Sequence, residues 1–164
     1  MENITHQELI TLLHYNEETG NFTWAVTRQK GKIGEVAGYF DGKYICIKVK
    51  GFKYKAHRLA WFYKTQKWPE KFIDHVNGNK TDNRFFNLRE ASSGENRANS
   101  VKNKNNKTGF KGVVYKKWIK EKPYQAQITH NKKVIYIGCY ATPEEAHQAY
   151  ENKAKILHGD FAKP

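Results

Sequence analysis

Helical and strand-like spacing of apolar residues alternate along the chain. Thr5 and Glu8 make the reciprocal signature that opens a helix, and Leu9, Ile10, Leu12 and Leu13 then supply an apolar face. Gly20 and Asn21, inside NEETGNFTW, break it. From Phe22 onward the period shortens to two. In KYICIKVKGFKYKA, Ile45, Ile47 and Val49 fall on one face and Lys48 and Lys50 on the other, with hairpin turns at Asp41-Gly42 and Lys50-Gly51. HRLAWFYKTQ returns to helical spacing through Leu59, Phe62 and Tyr63, and Trp68-Pro69 is the predicted stop.

The next stretch carries little oil. FIDHV is a short apolar run interrupted by Asp74 and His75, NGNKTDNRF is a loop of turn formers, and NLREA reads as a returning strand. Ser92 and Glu95 then repeat the capping signature and open GENRANSVKNK as a helix. The polar, basic segment Ser100 to Gly109 reads as the helix tail running into a linker. Beyond it, FKGVVYKKW, PYQAQIT and VIYIG predict three short strands, and TPEEAHQAYENKAKILHG one helix with Thr142 as cap, Pro143 at its first position and Gly159 as stop.

Period two assigns the faces of those last strands. Val113, Tyr115, Ala126, Ile128, Ile135 and Ile137 share the face that packs on the helix. Val114, Lys116, Gln125, Gln127, Thr129, Val134 and Tyr136 share the other, with Trp118 beside it. A ribbon presenting Gln and Lys suits the DNA major groove, although any antiparallel sheet exposes one polar face. Charge strengthens the groove reading. Across 164 residues, 29 Lys and Arg stand against 16 Asp and Glu, a formal +13 that attracts polyanions. Nucleic acid is the expected partner. An anionic membrane is the weaker alternative, because the lysines do not stripe one amphipathic helix, no apolar run reaches the roughly 18 residues of a span, and MENITHQELI lacks the regions of a secretion signal. Cys46 and Cys139, the only cysteines, fit neither a zinc site nor a disulfide framework and are expected to be buried thiols in a reducing compartment.

The chemistry concentrates between Phe72 and Asn99. If the helix after Ser92 packs across the hairpin, Asp74, His75, Asn87 and Asn96 converge. Asp74 and Asn96 offer oxygen ligands to a hard cation, one Mg²⁺ or Mn²⁺ per site. His75 can take a proton from water near neutral pH, and Asn87 is expected to bond its other ring nitrogen. Neighbours on a regular strand point to opposite faces, so Asp74 and His75 serve one centre only where the strand ends, twists or bulges. The plain alternative is a capping or half-buried histidine. His57, a cap or phosphate contact, stays outside this group. Asn77, Gly78, Asn79, Asp82 and Asn83 read as loop formers, and His147 and His158 as solvated.

These residues carry a resemblance. AHRLAW, IDHVNGNKTDNR, NLREAS and ENRAN resemble the HNH endonucleases, particularly the phage and intron-encoded homing group with a ββα-metal core. GFKGVVY, YQAQI, YIGCYATPEEAHQAY and HGDFA resemble the APETALA/ethylene-response type of DNA-binding domain. The resemblance implies His75 as general base, Asn87 as its orienting partner, and Asp74 and Asn96 as metal ligands. Asn96 stands where many HNH nucleases have histidine, which favours a hard ion over zinc. The expected fold class is α+β in three parts: an N-terminal helix and antiparallel β region over 1–54, the nuclease core over 55–104, and a three-stranded antiparallel sheet on one helix over 105–164. Lys48, Lys50, Arg84, Lys111, Lys116, Trp118, Gln125, Gln127 and Tyr136 are the expected DNA contacts. The implied protein is a monomer acting on double-stranded DNA in the cytoplasm of a bacterial host, encoded by a phage or mobile element. A DNA-binding regulator whose nuclease core is inactive is the competing expectation.

Overall fold

The structure, a computed structural model, describes residues 4–27, 32–100 and 105–162. The mixed helix and strand architecture expected from the spacing is present, and the chain divides into two units, one ending at Glu90 and the other beginning at Ala91.

In the first unit, helix α1 (His6–Leu12) begins at a complete capping box between Thr5 and Glu8. Strands β1 (Leu13–Tyr15), β2 (Phe22–Trp24) and β3 (Val36–Ala37) form an antiparallel sheet in chain order. The helix stops at Leu12, because Leu13 turns extended to pair with Trp24. Ile10 consequently lies on the exposed side, and Leu9 and Leu13 enter the core. Strands β4 (Tyr39–Phe40), β5 (Ile45–Val49) and β6 (Phe52–Lys55) make a second antiparallel sheet. Lys50 and Gly51 both take positive φ, 49° and 86°, as the tight hairpin turn requires.

Helix α2 (Ala56–Thr65) adjoins β6 directly and buries Leu59, Ala60 and Phe62. It ends before the predicted Trp68-Pro69 stop, with Gln66 in the left-handed conformation. Trp68 instead stacks on Phe62 at 4.2 Å between ring centroids. Strands β7 (Phe72–His75) and β8 (Leu88–Ala91) pair as a hairpin, with a 3-10 turn at Phe85–Asn87 leading into β8. Ile73 and Leu88 join the core built from Leu9, Leu13, Phe22, Ile47 and Leu59. Each large apolar side chain fully buried here contributes about 1.5–3 kcal/mol.

In the second unit, the Ser92–Glu95 capping box opens helix α3 (Ser93–Ala98), which ends at Asn99. The predicted extension through GENRANSVKNK enters residues 101–104, which lie outside the described residues, as does part of the expected linker. Strands β9 (Val113–Tyr115), β10 (Tyr124–His130) and β11 (Lys133–Tyr140) form an antiparallel sheet in the order β11-β10-β9. Helix α4 (Pro143–His158), capped by Thr142 and Glu145, packs on it and buries Ala146, Tyr150 and Ala154. Val113, Ala126 and Ile128 are buried as the period predicts, whereas Tyr115 at the strand end is exposed. A register shift after Ala126 lets Gln125 pair with Cys139 and Gln127 with Tyr136. Cys46 is buried as expected. Cys139 is only half-buried, on the strand position opposite Gln125. His147 is not solvated either: its Nδ1 lies 3.1 Å from the Lys111 carbonyl.

No helix among the described residues is long and apolar enough to cross a membrane.

The β1–β2 turn braces the loop between β7 and β8. The Tyr15 hydroxyl donates to the Asn83 carbonyl at 2.7 Å in a buried setting. Gly20 adopts φ +73°, and a Cβ there would lie 2.4 Å from the Arg84 nitrogen. Tyr15→Phe is therefore expected to lower unfolding free energy by about 1–3 kcal/mol, the cost of leaving a buried carbonyl unpaired. Gly20→Ala is expected to destabilise as well, by clash and by backbone strain. Urea denaturation of both variants checks this, and a Gly20→Ala midpoint equal to wild type would contradict the packing described.

Candidate active site

Strand β7 ends at His75, and the chain beyond it is held by amide side chains in place of apolar ones. Val76 N donates to the Asn87 carbonyl at 2.9 Å, the last rung before the loop. Asn77 and Asn87 then clasp each other: Asn77 N donates to Asn87 Oδ1 at 3.0 Å, and Asn87 Nδ2 donates to Asn77 Oδ1 at 3.1 Å. Asn87 Nδ2 also reaches the Asp82 carbonyl at 2.8 Å. Within the loop, Asn77 Oδ1 accepts from Asn79 N and Asn79 Oδ1 accepts from Thr81 N, two successive Asx turns. Arg84 closes the far end on Asp82 with two bonds of 2.8 and 2.6 Å, and this guanidinium holds the Asp82 carboxyl down at about 2.

This frame corrects the expected role of Asn87. Among the described residues its side chain bonds Asn77 and Asp82, not His75. The imidazole partner is Asn83, whose Oδ1 lies 3.2 Å from His75 Nε2. Asn83 Nδ2 donates to the Thr81 carbonyl, which fixes the amide so that its oxygen faces the ring. Nε2 therefore carries the proton, and Nδ1 is the nitrogen with the lone pair. His75 is 4% exposed and Asp74 5%. Burial lowers the His75 pKa from its ordinary value, partly offset by the Asn83 bond and the Asp74 charge, so the ring is neutral at neutral pH. Asp74 Oδ2 accepts from Arg89 Nε at 3.1 Å, an ion pair with both side chains largely buried.

A second imidazole stands against the first. His57, in the first turn of α2, is 5% exposed, and its ring meets His75 edge-on with centroids 5.0 Å apart. Tyr44 lies 5.1 Å from His57 and 6.4 Å from His75. Burial first, then the neighbouring His75, Lys55 and Arg58, pushes His57 down to about 3. Its Nδ1 is buried without a hydrogen-bond partner among the described residues. The expectation that His57 stands apart is thus overturned: the helix start that suggested a cap instead drives the ring inward, beside His75.

The remaining expected site residues lie on several elements of the two units. Asn96 is exposed on α3 in the second unit. Lys48 is exposed, whereas Lys50 is paired with Glu8 and Arg84 with Asp82. Lys111 donates to the Ala98 carbonyl at 2.5 Å, at the end of α3. Gln125 Nε2 donates to Gln127 Oε1 at 2.9 Å, and Gln127 pairs with the exposed Tyr136. Lys116 sits 5.2 Å from the centre of the exposed Trp118 ring. Asn83, Arg89, Tyr44 and His57 are the residues at the site that spacing did not single out for it. The only sequence signal for Asn83 was its place in the asparagine-rich loop.

Protonation of buried neutral histidines opposes folding. His57 is held near 3 in the folded chain against about 6.5 when unfolded, so the unfolded state binds more protons between those values and stability rises with pH across that window. His75 acts in the same direction. From pH 6.5 to 5, above the carboxylate range, His57 alone is expected to account for a loss of about 2 kcal/mol. Urea midpoints across this interval should fall in wild type and fall less in His57→Phe. Equal slopes would contradict the burial described.

Residues 54–98, from β6 through α3, match the HNH endonuclease family. An uncharacterized HNH endonuclease, L560, of Acanthamoeba polyphaga mimivirus is 34% identical over 93 residues, which cover 57% of this chain and 46% of that protein. The chain thus spans about half the length of the relative it matches. No solved structure matches it. The buried Asp74–His75 pair and its asparagine-bound loop therefore lie within the stretch, residues 54–98, that matches the HNH endonuclease family.

Proposed function

We propose that this chain is a metal-dependent DNA endonuclease of the HNH homing type, hydrolysing phosphodiester bonds at a recognised site. The observation that carries this reading is the state of His75: buried, neutral, held through Nε2 by Asn83, and adjacent to a buried carboxylate within the HNH domain.

The donor chemistry fits a hard ion. Among the described residues no group of three or more His, Cys, Asp and Glu could hold a metal. A carboxylate supplemented by amide oxygens suits Mg²⁺ or Mn²⁺, which keep water and take substrate phosphate as further ligands. In this reading Asp74 and Asn96 hold the ion, Asn96 on the strength of the sequence resemblance. When bound, such an ion stabilises charge developing on the phosphate and on the departing oxygen. His75 Nδ1 takes the proton of the attacking water. Asn83 keeps the ring in the tautomer that leaves Nδ1 basic, and the Asn77–Asn87 clasp keeps Asn83 at its place by fixing the loop. Arg89 orients the Asp74 carboxylate at the strand end.

The sheet face of Lys116, Gln125, Gln127 and Tyr136, with Trp118 beside it, is the proposed reader of duplex DNA, in the manner of an APETALA/ethylene-response domain. The protein acts as a monomer in a host cytoplasm, on behalf of a phage or mobile element. The ion pair of Arg89 with Asp74 favours one competitor, a DNA-binding regulator that does not cut, because it already occupies one oxygen of the carboxylate.

An assay of supercoiled DNA with Mg²⁺ or Mn²⁺ separates the two. Wild type is expected to produce open-circle or linear product, and chelator to abolish it. His75→Ala is expected to cut about 10² to 10⁴-fold more slowly while binding DNA with nearly unchanged affinity. Equal cutting by the variant would remove His75 from the mechanism, and binding without cutting by wild type on DNA from the source genome would favour the regulator.

A further inference from the structure

Three lysines from three separate segments meet at one aromatic ring. Lys43 belongs to the turn between β4 and β5, Lys55 ends β6, and Lys80 lies in the loop between β7 and β8. Their ammonium nitrogens stand 5.5, 4.4 and 5.8 Å from the centre of the Tyr44 ring. That ring lies against both His57 and His75. All three lysines are exposed, and Tyr44 is half-buried beneath them.

Attraction to the ring does not account for the cluster. A ring has two faces, and a cation gains only when it sits over one of them. Three like charges around a single phenol repel one another, and none of the three is ion-paired among the described residues. The local carboxylates are committed elsewhere: Asp41 to Lys53 and to the backbone of its own turn, Asp74 to Arg89, and Asp82 to Arg84. Burial and the charge of Lys43 both depress the Lys80 pKa, a sign that the fold holds these cations together at a cost. The missing partner is an anion with several charges spaced along its length, approaching from solvent beside His75.

We propose that Lys43, Lys55 and Lys80, arrayed on Tyr44, form a binding site for the DNA phosphodiester backbone flanking the bond that is cut. The proposal rests on the nuclease reading for its place in the reaction, but the site itself is a property of binding. Lysine serves here as a point charge, which grips phosphates without reading bases. The site would therefore engage duplexes of any sequence.

The test is the salt dependence of binding by the full chain to a random-sequence 30-base-pair duplex, monitored by fluorescence anisotropy in chelator so that no cleavage occurs. Each lost phosphate contact lowers the slope of log K against log salt by about 0.9. The triple variant Lys43→Gln, Lys55→Gln, Lys80→Gln is expected to lose about 2 to 3 from the slope. The corresponding triple arginine variant is expected to keep it. A control triple at exposed lysines elsewhere, Lys67→Gln, Lys71→Gln and Lys155→Gln, is expected to change it by less than 1. An unchanged slope in the first variant, or an equal fall in the control, would overturn the proposal. Because the readout needs no turnover, wild type that binds with the expected slope yet never cuts would sink the nuclease reading and leave the phosphate site standing. Absence of binding by wild type would overturn both.

Discussion

The reciprocal pair of hydrogen bonds between Asn77 and Asn87 is the interaction on which the candidate site depends. The loop from Asn77 to Arg84 has almost no apolar side chains with which to pack itself, so its shape must come from directed polar bonds. Each asparagine offers two donors and an accepting oxygen on a short stem, which lets one residue close a turn and bridge to the opposite strand at once. Asn87 does this from the turn into β8, joining both ends of the loop. Removing its side chain would leave the Asn77 amide and the Asp82 carbonyl to find water in a crowded place.

From that clasp the site is built outward. With the loop fixed, Asn83 presents its oxygen to His75, and Tyr15 holds the Asn83 carbonyl from behind. The N-terminal sheet is therefore more than a neighbouring layer, since it positions the partner of the imidazole through one buried hydroxyl and one glycine without room for a Cβ. On the opposite side, α2 delivers His57 edge-on to the same ring. His57 and Tyr44 lie against the buried His75 ring, and its burial lowers its pKa so that it is neutral at neutral pH. The burial that destabilises the fold in acid is also what keeps His75 neutral, the state the proposed base requires.

Much of this fold was legible in the sequence because its signals are local. The capping boxes at Thr5 and Ser92 and the cap at Thr142 form as written, the Lys50-Gly51 turn forms where it was expected with Gly51 at positive φ, and period two places Ala126 and Ile128 inward. Local signals failed where a tertiary contact overrode them. Leu12 ended α1 because Leu13 had a strand partner in Trp24, and Trp68 was free to stack on Phe62 because α2 had already closed at Gln66. Cys139 reads as core from its neighbours, yet the register shift in β10 sets it opposite Gln125.

The site was legible in its types and not in its wiring. Spacing and resemblance marked Asp74 and His75 as chemical, and an asparagine as the orienting group. Which asparagine bonds the ring is a question of loop geometry, and a turn-rich segment admits several answers until its hydrogen bonds are laid down. His57, Arg89, Lys43 and Lys55 come from other segments of the chain, with no periodicity linking them to His75. The proposed mechanism turns on His75 being a neutral base with its proton on Nε2. The direct measurement is a two-bond ¹H–¹⁵N correlation spectrum of the histidine side chains, with His75 assigned by its substitution, recorded across a pH titration. The Nε2–H tautomer is predicted for His75 at neutral pH, with a midpoint below 6.5. A proton on Nδ1, or a midpoint above 6.5, would contradict that assignment.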